Sequence, residues 1–239
     1  MKTIIIGAGE IGNSLFNVLS KEYECDLYDI SYGRQVLKEL KLNKYDIMHI
    51  CFPYSEYFIE NVINYKLDFN PKYIVVHSTV PVGTCKDLSV IHSPCLGIHP
   101  HLEESMKTFT KFLGGKEASN VSDYFRRAGM KVYITDDSNS TELMKIMSTT
   151  YYGVCIEYTK QVKRECDRFG IPFELWTLWT NNYNQGYNKL GYPEYTRPNL
   201  VPNMNKIGGH CVKENSHLIE NKFTKLIKEE NEDLKEKEE

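Results

Sequence analysis

The chain lacks the features that mark membrane, secreted and nucleic-acid-binding proteins. Its 239 residues contain no apolar run long enough to cross a bilayer. Lysine and arginine number 29 against 32 aspartate and glutamate, a formal net charge of −3, so no basic surface for nucleic acid is expected. The seven cysteines form no C-x-x-C pair and no zinc-ligand spacing, and an apolar strand opens the sequence without a leader-like segment. These absences predict a cytoplasmic protein that contacts neither membrane nor nucleic acid.

A glycine turn after the first apolar segment carries the strongest functional signal. Residues 3–6 read as a strand, and Gly7-Ala8-Gly9-Glu10-Ile11-Gly12 leads from it into a helical pattern. In this setting a G-x-G-x-x-G turn binds the pyrophosphate of a dinucleotide. The first glycine makes the tight turn, the second admits the phosphates, and the third lets the helix pack closely. The helix N-terminus adds N–H groups and partial positive charge.

An acid at the end of the second predicted strand indicates which dinucleotide is bound. Asp29 follows the glycine turn by about twenty residues, where a ribose hydroxyl needs an acceptor. Its charge repels a 2′-phosphate and favours NAD, whereas Arg34 nearby keeps NADP as an alternative. The residues predicted to bind the cofactor are Gly7, Gly9, Glu10, Ile11, Gly12, Asp29, Pro53, Ser78 and Thr79.

Strand and helix patterns alternate through the first half, which predicts an α/β fold with a Rossmann-type, doubly wound parallel sheet. A long helix over about 141–169 and a small helical second domain follow. We expect an NAD-binding domain at 1–137, the long helix with a helical substrate or dimerisation domain at 138–227, and a charged tail at 228–239. The long helix has more apolar residues than one small domain covers, which predicts a homodimer. These residues are Leu143, Ile146, Met147, Val154 and Ile156.

Four segments, in order, resemble one family. They are the glycine turn, Ser78-Thr79-Val80-Pro81-Val82-Gly83-Thr84, Glu142-Leu143-Met144-Lys145 and Gly208-Gly209-His210-Cys211. Together they resemble the nucleotide-sugar dehydrogenases related to UDP-glucose and GDP-mannose dehydrogenase. The resemblance ends near residue 220 and implies a short form without the family's C-terminal nucleotide-sugar-binding domain. It also implies oxidation of a sugar CH₂OH to carboxylate in two NAD-dependent steps.

The resemblance assigns catalytic roles to Thr79, Lys145 and Cys211. Cys211 would be the nucleophile that attacks an aldehyde, forming a thiohemiacetal and then a thioester. Lys145 would steady an alkoxide or transfer a proton, the alternative being an exposed helix lysine. Thr79 would lie beside the reacting centre, or else cap a helix near Val82. His210 would lower the thiol pKa or serve as a structural part of its turn.

The chain departs from the family pattern at three companion positions. Thr149 stands where the family has asparagine, Asn215 where it has aspartate, and Cys95 where it commonly has an acid. Thr149 and Asn215 are still predicted to contact substrate, as is Arg197. Trp176, Trp179, Tyr183 and Tyr187 recur at helical spacing, so they are expected to be core residues.

Two further functions stay open. One is an inactive or regulatory NAD-binding module, and the other is a single-step hydroxyacid-type dehydrogenase with a similarly placed lysine. The pair His99 and His101 suggests a metal, but no third ligand is evident in the sequence, so none is predicted. The expected ligands are therefore NAD and a sugar or nucleotide-sugar substrate.

Overall fold

A computed structural model describes residues 1–98, 100–207 and 211–236, the last five of these by their helical backbone alone. It contains a seven-stranded sheet that confirms the expected α/β fold. The strands are β1 (Lys2–Ile6), β2 (Glu24–Tyr28), β3 (Ile47–Ile50), β4 (Tyr73–Val76), β5 (Ile91–His92), β6 (Lys111–Gly114) and β7 (Val132–Thr135).

The strand order is β2-β1-β3-β4-β5-β6-β7. β1 therefore lies between β2 and β3, and the chain leaves β1 toward one side of the sheet and later returns to its other side. Such a switch point opens a crevice at the carboxyl ends of the strands, where ligands bind in open α/β sheets. The pairs from β2 through β5 are parallel, β5 and β6 are antiparallel, and β6 and β7 are again parallel.

The helices alternate with these strands in the first half and dominate the second. They are α1 (Glu10–Leu19), α2 (Gly33–Leu40), α3 (Phe58–Phe69), α4 (Thr84–Leu88), α5 (Leu102–Thr108), α6 (Ser122–Arg127), α7 (Ser138–Phe169), α8 (Glu174–Lys189), α9 (Val212–Ser216) and α10 (Lys222–Glu236).

Alternation along the strands divides the core into two layers. Ile5, with its neighbours on β3 and β4, packs with Leu15 of α1 and Phe125 of α6. Ile4 and its equivalents on the other face pack with Phe58 of α3. Each central strand is therefore buried on both faces, which explains why these strands read as continuous apolar runs.

The chain divides into two compact units, Met1–Lys145 and Ile146–Glu239. The second unit has a small apolar cluster of Ile207, Val212 and Ile227, against which residues of α7 pack. Gly153 permits that packing, because a Cβ at this position would lie 2.6 Å from atoms of both Val212 and Ile227. Close approach thus secures α9 and α10 to α7 with few apolar side chains.

Two local expectations differ from the structure. The sequence pattern predicts no strand over β6, a four-residue segment that starts with a lysine and ends in glycine. The pattern over about 215–227 predicts one helix, whereas α9 ends at Ser216 and α10 begins at Lys222. α10 then runs to Glu236, so the segment 228–236 is helical.

A chain of polar side chains crosses the core of the first unit. His49 and His77 are 2.9 Å apart between ring nitrogens, and His49 reaches the Tyr124 hydroxyl at 3.1 Å. His92, also buried, contacts the Thr141 hydroxyl at 2.8 Å. Desolvation lowers the pKa of His49 and of His92 to about 3, and it lowers the pKa of His77 well below its usual value. All three imidazoles are neutral in the folded protein near neutral pH.

These three histidines predict acid sensitivity that starts above the carboxylate range. Below about pH 6.5 the three histidines bind protons in the unfolded chain but not in the folded chain. The free energy of unfolding therefore decreases as the pH is lowered. Each contributes a slope of about 1.36 kcal/mol per pH unit between its two pKa values. Urea unfolding between pH 7.5 and 4.5 measures this slope.

His217, which is exposed, supplies the matched control. His217→Gln should leave the slope unchanged. His49→Gln should reduce the slope by the contribution of one histidine, about 1.36 kcal/mol per pH unit. A flat stability profile down to pH 5 in the unmodified protein would contradict buried neutral histidines.

Candidate active site

The glycine turn has the geometry that the sequence predicts. Gly7 adopts φ +103°, and a Cβ there would lie 2.9 Å from the Phe52 backbone nitrogen. A Cβ on Gly12 would lie 1.8 Å from the Gly7 carbonyl oxygen, so only glycine lets α1 approach β1 this closely. Gly9 differs from both, because a Cβ there would meet no atom within 4 Å. The space beside Gly9 is therefore free for a ligand at the N-terminus of α1.

Asp29 lies at the end of β2 and supports the turn directly. Its Oδ2 accepts from the Ala8 N–H at 2.9 Å, and its Oδ1 accepts from the Ser31 N–H at 3.0 Å. The Ala8 bond, followed by those from Ser31, lowers the pKa of Asp29. The carboxylate is thus ionised and fixed beside the glycine turn.

The remaining predicted cofactor residues follow along the same edge of the sheet. Pro53 is exposed just beyond β3. The Ser78 hydroxyl donates to the Phe52 carbonyl at 2.6 Å, which joins the ends of β3 and β4. Thr79 follows with a half-buried side chain. It caps no helix, because α4 begins after Gly83. Open space beside Gly9, the α1 N-terminus and a fixed carboxylate are what a dinucleotide requires, so these residues fit NAD.

Lys145 lies at this edge as well, next to the end of β5. Its Nζ donates to the Cys95 carbonyl at 2.8 Å, and its side chain is half-buried. The anchor is a main-chain oxygen, which any residue at position 95 supplies. The ammonium is therefore held in place whatever side chain stands at position 95.

Glu142, one turn earlier on α7, is a residue to which the sequence reading gave no role. It is fully buried, and its two oxygens accept from the Gly83 and Cys85 N–H groups at 2.7 and 2.8 Å. Burial raises the pKa of this carboxyl group. Glu142 thereby caps α4 from another helix and fixes the loop that follows Thr79. Its position in the Glu142–Lys145 motif was the sequence feature that could have pointed to a role for this residue.

In the second unit, two of the predicted substrate residues contact each other. The Asn215 amide donates to the Thr149 hydroxyl at 3.2 Å, and that hydroxyl donates to the Ile146 carbonyl at 2.8 Å. Cys211 precedes α9, is exposed, and accepts from the Asn215 N–H through its carbonyl at 3.3 Å. The Thr149–Asn215 bond thus ties the helix that follows Cys211 to α7. Residues 208–210, including His210, lie outside the described residues.

Arg197 stacks on α8. Its guanidinium lies 3.5 Å from the Tyr183 ring centroid, and its backbone exchanges two hydrogen bonds with the Asn184 amide. Trp179, which was expected in the core, is instead 66% exposed. A helix of this amphipathic spacing needs something to cover its apolar side, and the second unit does not cover Trp179.

The second unit also contains a cavity that the sequence did not predict. It measures about 210 Å³ and lies between α7 and the segment 200–207. Its lining combines polar and apolar side chains, namely Tyr152, Lys160, Asn203, Asn205 and Lys206 with Ile156, Leu200, Val201 and Ile207. Lys160 is 1% exposed and is held by Glu157 on the same helix at 2.9 Å. An isolated lysine in a helical pattern gives no sign of such burial.

The described residues contain no group of three or more histidine, cysteine or acidic side chains that could hold a metal ion. His99, one half of the histidine pair, lies outside them. Across the same described part of the chain, no helix has the length and apolarity needed to cross a membrane.

Gly12 and Gly9 predict separable effects on stability and binding. Gly12→Ala should destabilise the fold by about 3 kcal/mol, because the new Cβ meets a backbone oxygen. Gly9→Ala should leave the melting temperature unchanged but weaken NAD binding at least tenfold, about 1.4 kcal/mol. Thermal unfolding and calorimetric titration measure the two effects. Unchanged NAD affinity in Gly9→Ala would contradict phosphate binding at the turn.

Comparison with known proteins places this site in context. No family model matches the chain. The UDP-N-acetyl-D-mannosamine dehydrogenase of Methanococcus maripaludis is 25% identical over 217 residues, which cover 85% of this chain and 46% of that protein. A second such protein, from Methanococcus vannielii, is 26% identical over 151 residues, covering 58% of this chain and 32% of its own length.

The solved structure of UDP-D-ManNAc dehydrogenase from Pyrococcus horikoshii has a TM-score of 0.80 at 16% identity, covering 98% of this chain and 69% of that one. This likeness establishes the fold. The chain is thus similar in sequence to UDP-N-acetyl-D-mannosamine dehydrogenases, and it spans about half the length of the curated relatives it matches.

Proposed function

We propose that the protein is an NAD-dependent oxidoreductase that oxidises a CH₂OH group of a nucleotide sugar toward carboxylate. The observation that carries this proposal is the edge of the sheet in the first unit. This edge carries Asp29, which is ionised, at the end of β2 and the open space at Gly9 after β1. Further along the same edge lies Lys145, which is anchored next to the end of β5. Names of the sequence relatives suggest a UDP-linked N-acetylated sugar as the substrate.

The cofactor residues act by position and charge. The α1 N-terminus and the open Gly9 would receive the pyrophosphate, and Asp29 would accept from the ribose hydroxyls. NAD, when bound, accepts a hydride at its nicotinamide ring. The hydrogen bond from Ser78 to Phe52 joins the ends of β3 and β4 along this edge.

Lys145 would act on the alcohol in the first oxidation. Its ammonium is oriented by the Cys95 carbonyl and can stabilise the alkoxide that forms as the hydroxyl loses its proton. Thr79 would bind the substrate beside it. The first oxidation yields an aldehyde.

Cys211 would act on that aldehyde. Attack by its thiolate on the carbonyl carbon gives a thiohemiacetal, loss of a second hydride gives a thioester, and water then releases the acid. Thr149, Asn215 and Arg197 are the further residues that we propose to bind substrate.

A second candidate is a single-step hydroxyacid dehydrogenase. One observation favours it: the 3-hydroxyisobutyrate dehydrogenase of Mycobacterium tuberculosis has a TM-score of 0.68 at 12% identity, and the match covers 95% of this chain and 91% of that one. That likeness concerns the fold alone. Asn215, which lacks the family's carboxylate, is consistent with a reaction that needs no thioester hydrolysis.

Product stoichiometry separates the two candidates. Incubation with NAD and a panel of nucleotide sugars, beginning with UDP-N-acetyl-D-mannosamine, should produce two NADH per sugar oxidised. One NADH per molecule of a hydroxyacid, with no turnover of any nucleotide sugar, would favour the second candidate. If the protein binds NAD but oxidises neither nucleotide sugars nor hydroxyacids, the remaining interpretation is an NAD-binding module without enzymatic activity.

Asp29 predicts the cofactor preference. We expect tighter binding of NAD than of NADP, because the carboxylate repels a 2′-phosphate. Asp29→Asn should reduce the difference between the affinities for NAD and NADP, whereas Asp123→Asn on α6 should leave that difference unchanged. Calorimetry with both cofactors provides the measurement, and equal affinities in the unmodified protein would mean that Arg34 outweighs Asp29.

Lys145 and Cys211 predict different defects. Lys145→Ala should slow the first hydride transfer by roughly 10²–10⁴-fold. Cys211→Ser should stop the reaction after one NADH, since a hydroxyl is a poor nucleophile at its own pKa. Lys189→Ala and Cys166→Ser are the matched controls, expected to behave as the unmodified protein. Two NADH per sugar from Cys211→Ser would remove the thioester route.

We also propose that the protein acts as a homodimer in the cytoplasm, where its seven free cysteines stay reduced. The apolar residues that suggested this from sequence are not the exposed ones: Ile146 is buried, and Val154 and Ile156 pack in the second unit's own cluster. Exposed apolar side chains on α7 and α8 provide a better interface. They are Tyr151, Tyr158, Leu175, Leu178 and Trp179.

Light scattering at high micromolar concentration tests the dimer. The unmodified protein should have twice the chain mass, and Trp179→Glu should shift it toward the monomer, because a charge in an apolar interface is not solvated. Lys189→Glu on the same helix is the control. A monomeric unmodified protein would overturn the dimer.

A further inference from the structure

Lys111, on β6, is buried inside the first unit, and among the described residues no carboxylate forms an ion pair with it. It is 4% exposed. Its Nζ contacts His77 Nδ1 at 3.0 Å, the Ser93 carbonyl at 3.0 Å and Cys95 Sγ at 3.7 Å, and it lies 5.8 Å from the Phe125 ring centroid. An ammonium has three N–H donors and no acceptor. The three contacts therefore use all of its donors.

The contacts around Lys111 form a closed triangle, since His77 Nδ1 also lies 2.8 Å from the Ser93 carbonyl. A Lys111 ammonium can donate to both of these atoms only if His77 Nδ1 carries no proton. His77 then holds its proton on Nε2 and donates to His49 Nδ1, and His49 donates from Nε2 to Tyr124. In this arrangement the charge on Lys111 sets the tautomers of both buried histidines; with the proton on Nδ1, His77 would instead donate to the Ser93 carbonyl.

The same contacts lead from Lys111 to Lys145. Lys111 holds the segment Ser93–Cys95 at two points, the Ser93 carbonyl and the Cys95 sulfur. The carbonyl of Cys95 in turn accepts from Lys145 Nζ at 2.8 Å. Both lysines therefore hydrogen-bond to the same three-residue segment. Lys111 contacts it from inside the core, and Lys145 contacts it from the edge of the sheet.

We propose that Lys111 is a positioning residue for Lys145. By holding the segment Ser93–Cys95 from the core, it fixes the carbonyl that orients the Lys145 ammonium. Its effect on the reaction rate rests on the proposed function of Lys145, but its effect on the position of Lys145 does not. A lysine that only fills space in the core would influence neither the histidine tautomers nor Lys145.

The tautomer of His77 in the unmodified protein is the first test. Nitrogen-15 NMR of histidine-labelled protein distinguishes protonated from unprotonated ring nitrogens. We expect an unprotonated Nδ1 on His77. A proton on Nδ1 would mean that His77 donates to Ser93 and that Lys111 does not donate to His77. This outcome overturns the control of the histidine tautomers by Lys111, and the labelling of Lys145 then decides whether Lys111 holds the segment Ser93–Cys95.

Lys111→Met is the second test, because methionine keeps the length of the side chain and removes its donors. We expect the His77 proton to move to Nδ1, where the Ser93 carbonyl accepts it. We also expect Lys145 to react severalfold faster with a limiting amine-acylating reagent, measured by peptide mass spectrometry. Lys131→Met, at an exposed lysine before β7, is the matched control and should change neither signal.

Lys111→Arg and Cys95→Ala guard against a misfolded Lys111→Met. Arginine keeps a cation with donors and should retain the His77 tautomer. Cys95→Ala removes one tether but leaves the Cys95 carbonyl, so it should increase Lys145 labelling less than Lys111→Met does. Lys145 labelling that is equal in all these variants and in Lys131→Met would overturn the proposal.

The activity measurement separates this proposal from the proposed function. If the unmodified protein oxidises a substrate, Lys111→Met should lower kcat by up to about 10²-fold, the effect of a small displacement of a reacting group, while NAD affinity and KM stay unchanged. If it oxidises none, the proposed function fails, and the tautomer and labelling results still decide the role of Lys111. A fall in kcat without altered labelling would contradict positioning.

Discussion

The fold depends on one close contact, between the start of α1 and the end of β1. Because Gly12 has no side chain, α1 lies against the Gly7 carbonyl, and because Gly7 adopts a positive φ, the chain can turn there beside β3. This contact sets the distance of α1 from the sheet and hence the packing of Leu15 in one core layer. It also leaves the space beside Gly9 at the switch point of the sheet. Stability and cofactor binding therefore share one turn but use different glycines.

A second constraint is the amount of polarity that the core of the first unit contains. His49, His77 and Lys111 replace apolar packing with hydrogen bonds that must all be satisfied, since an unpaired buried donor is costly. The network meets this demand by using main-chain carbonyls near the sheet edge. As a result, the core and the candidate active site share the segment around Cys95.

Departures from the family pattern can be read through the same contacts. Lys145 is oriented by a main-chain carbonyl, so the loss of an acid at position 95 leaves its anchor intact. Thr149 and Asn215, which replace an amide and a carboxylate, bond to each other. Lys145 therefore keeps a fixed anchor, and the side chains at positions 149 and 215 satisfy each other.

The sequence by itself determined the α/β fold, the glycine turn, Asp29 and the long helix, because each depends on local periodicity or on a backbone conformation that few residues adopt. It did not reveal β6, whose four residues gain their strand conformation from neighbours distant in sequence. It placed Trp179 in the core, since helical spacing shows which residues share a face but not whether anything covers that face. Only the tertiary structure brought Lys111 to His77 and Glu142 to the α4 N-terminus, because buried polar partners lie far apart along the chain and leave no local pattern.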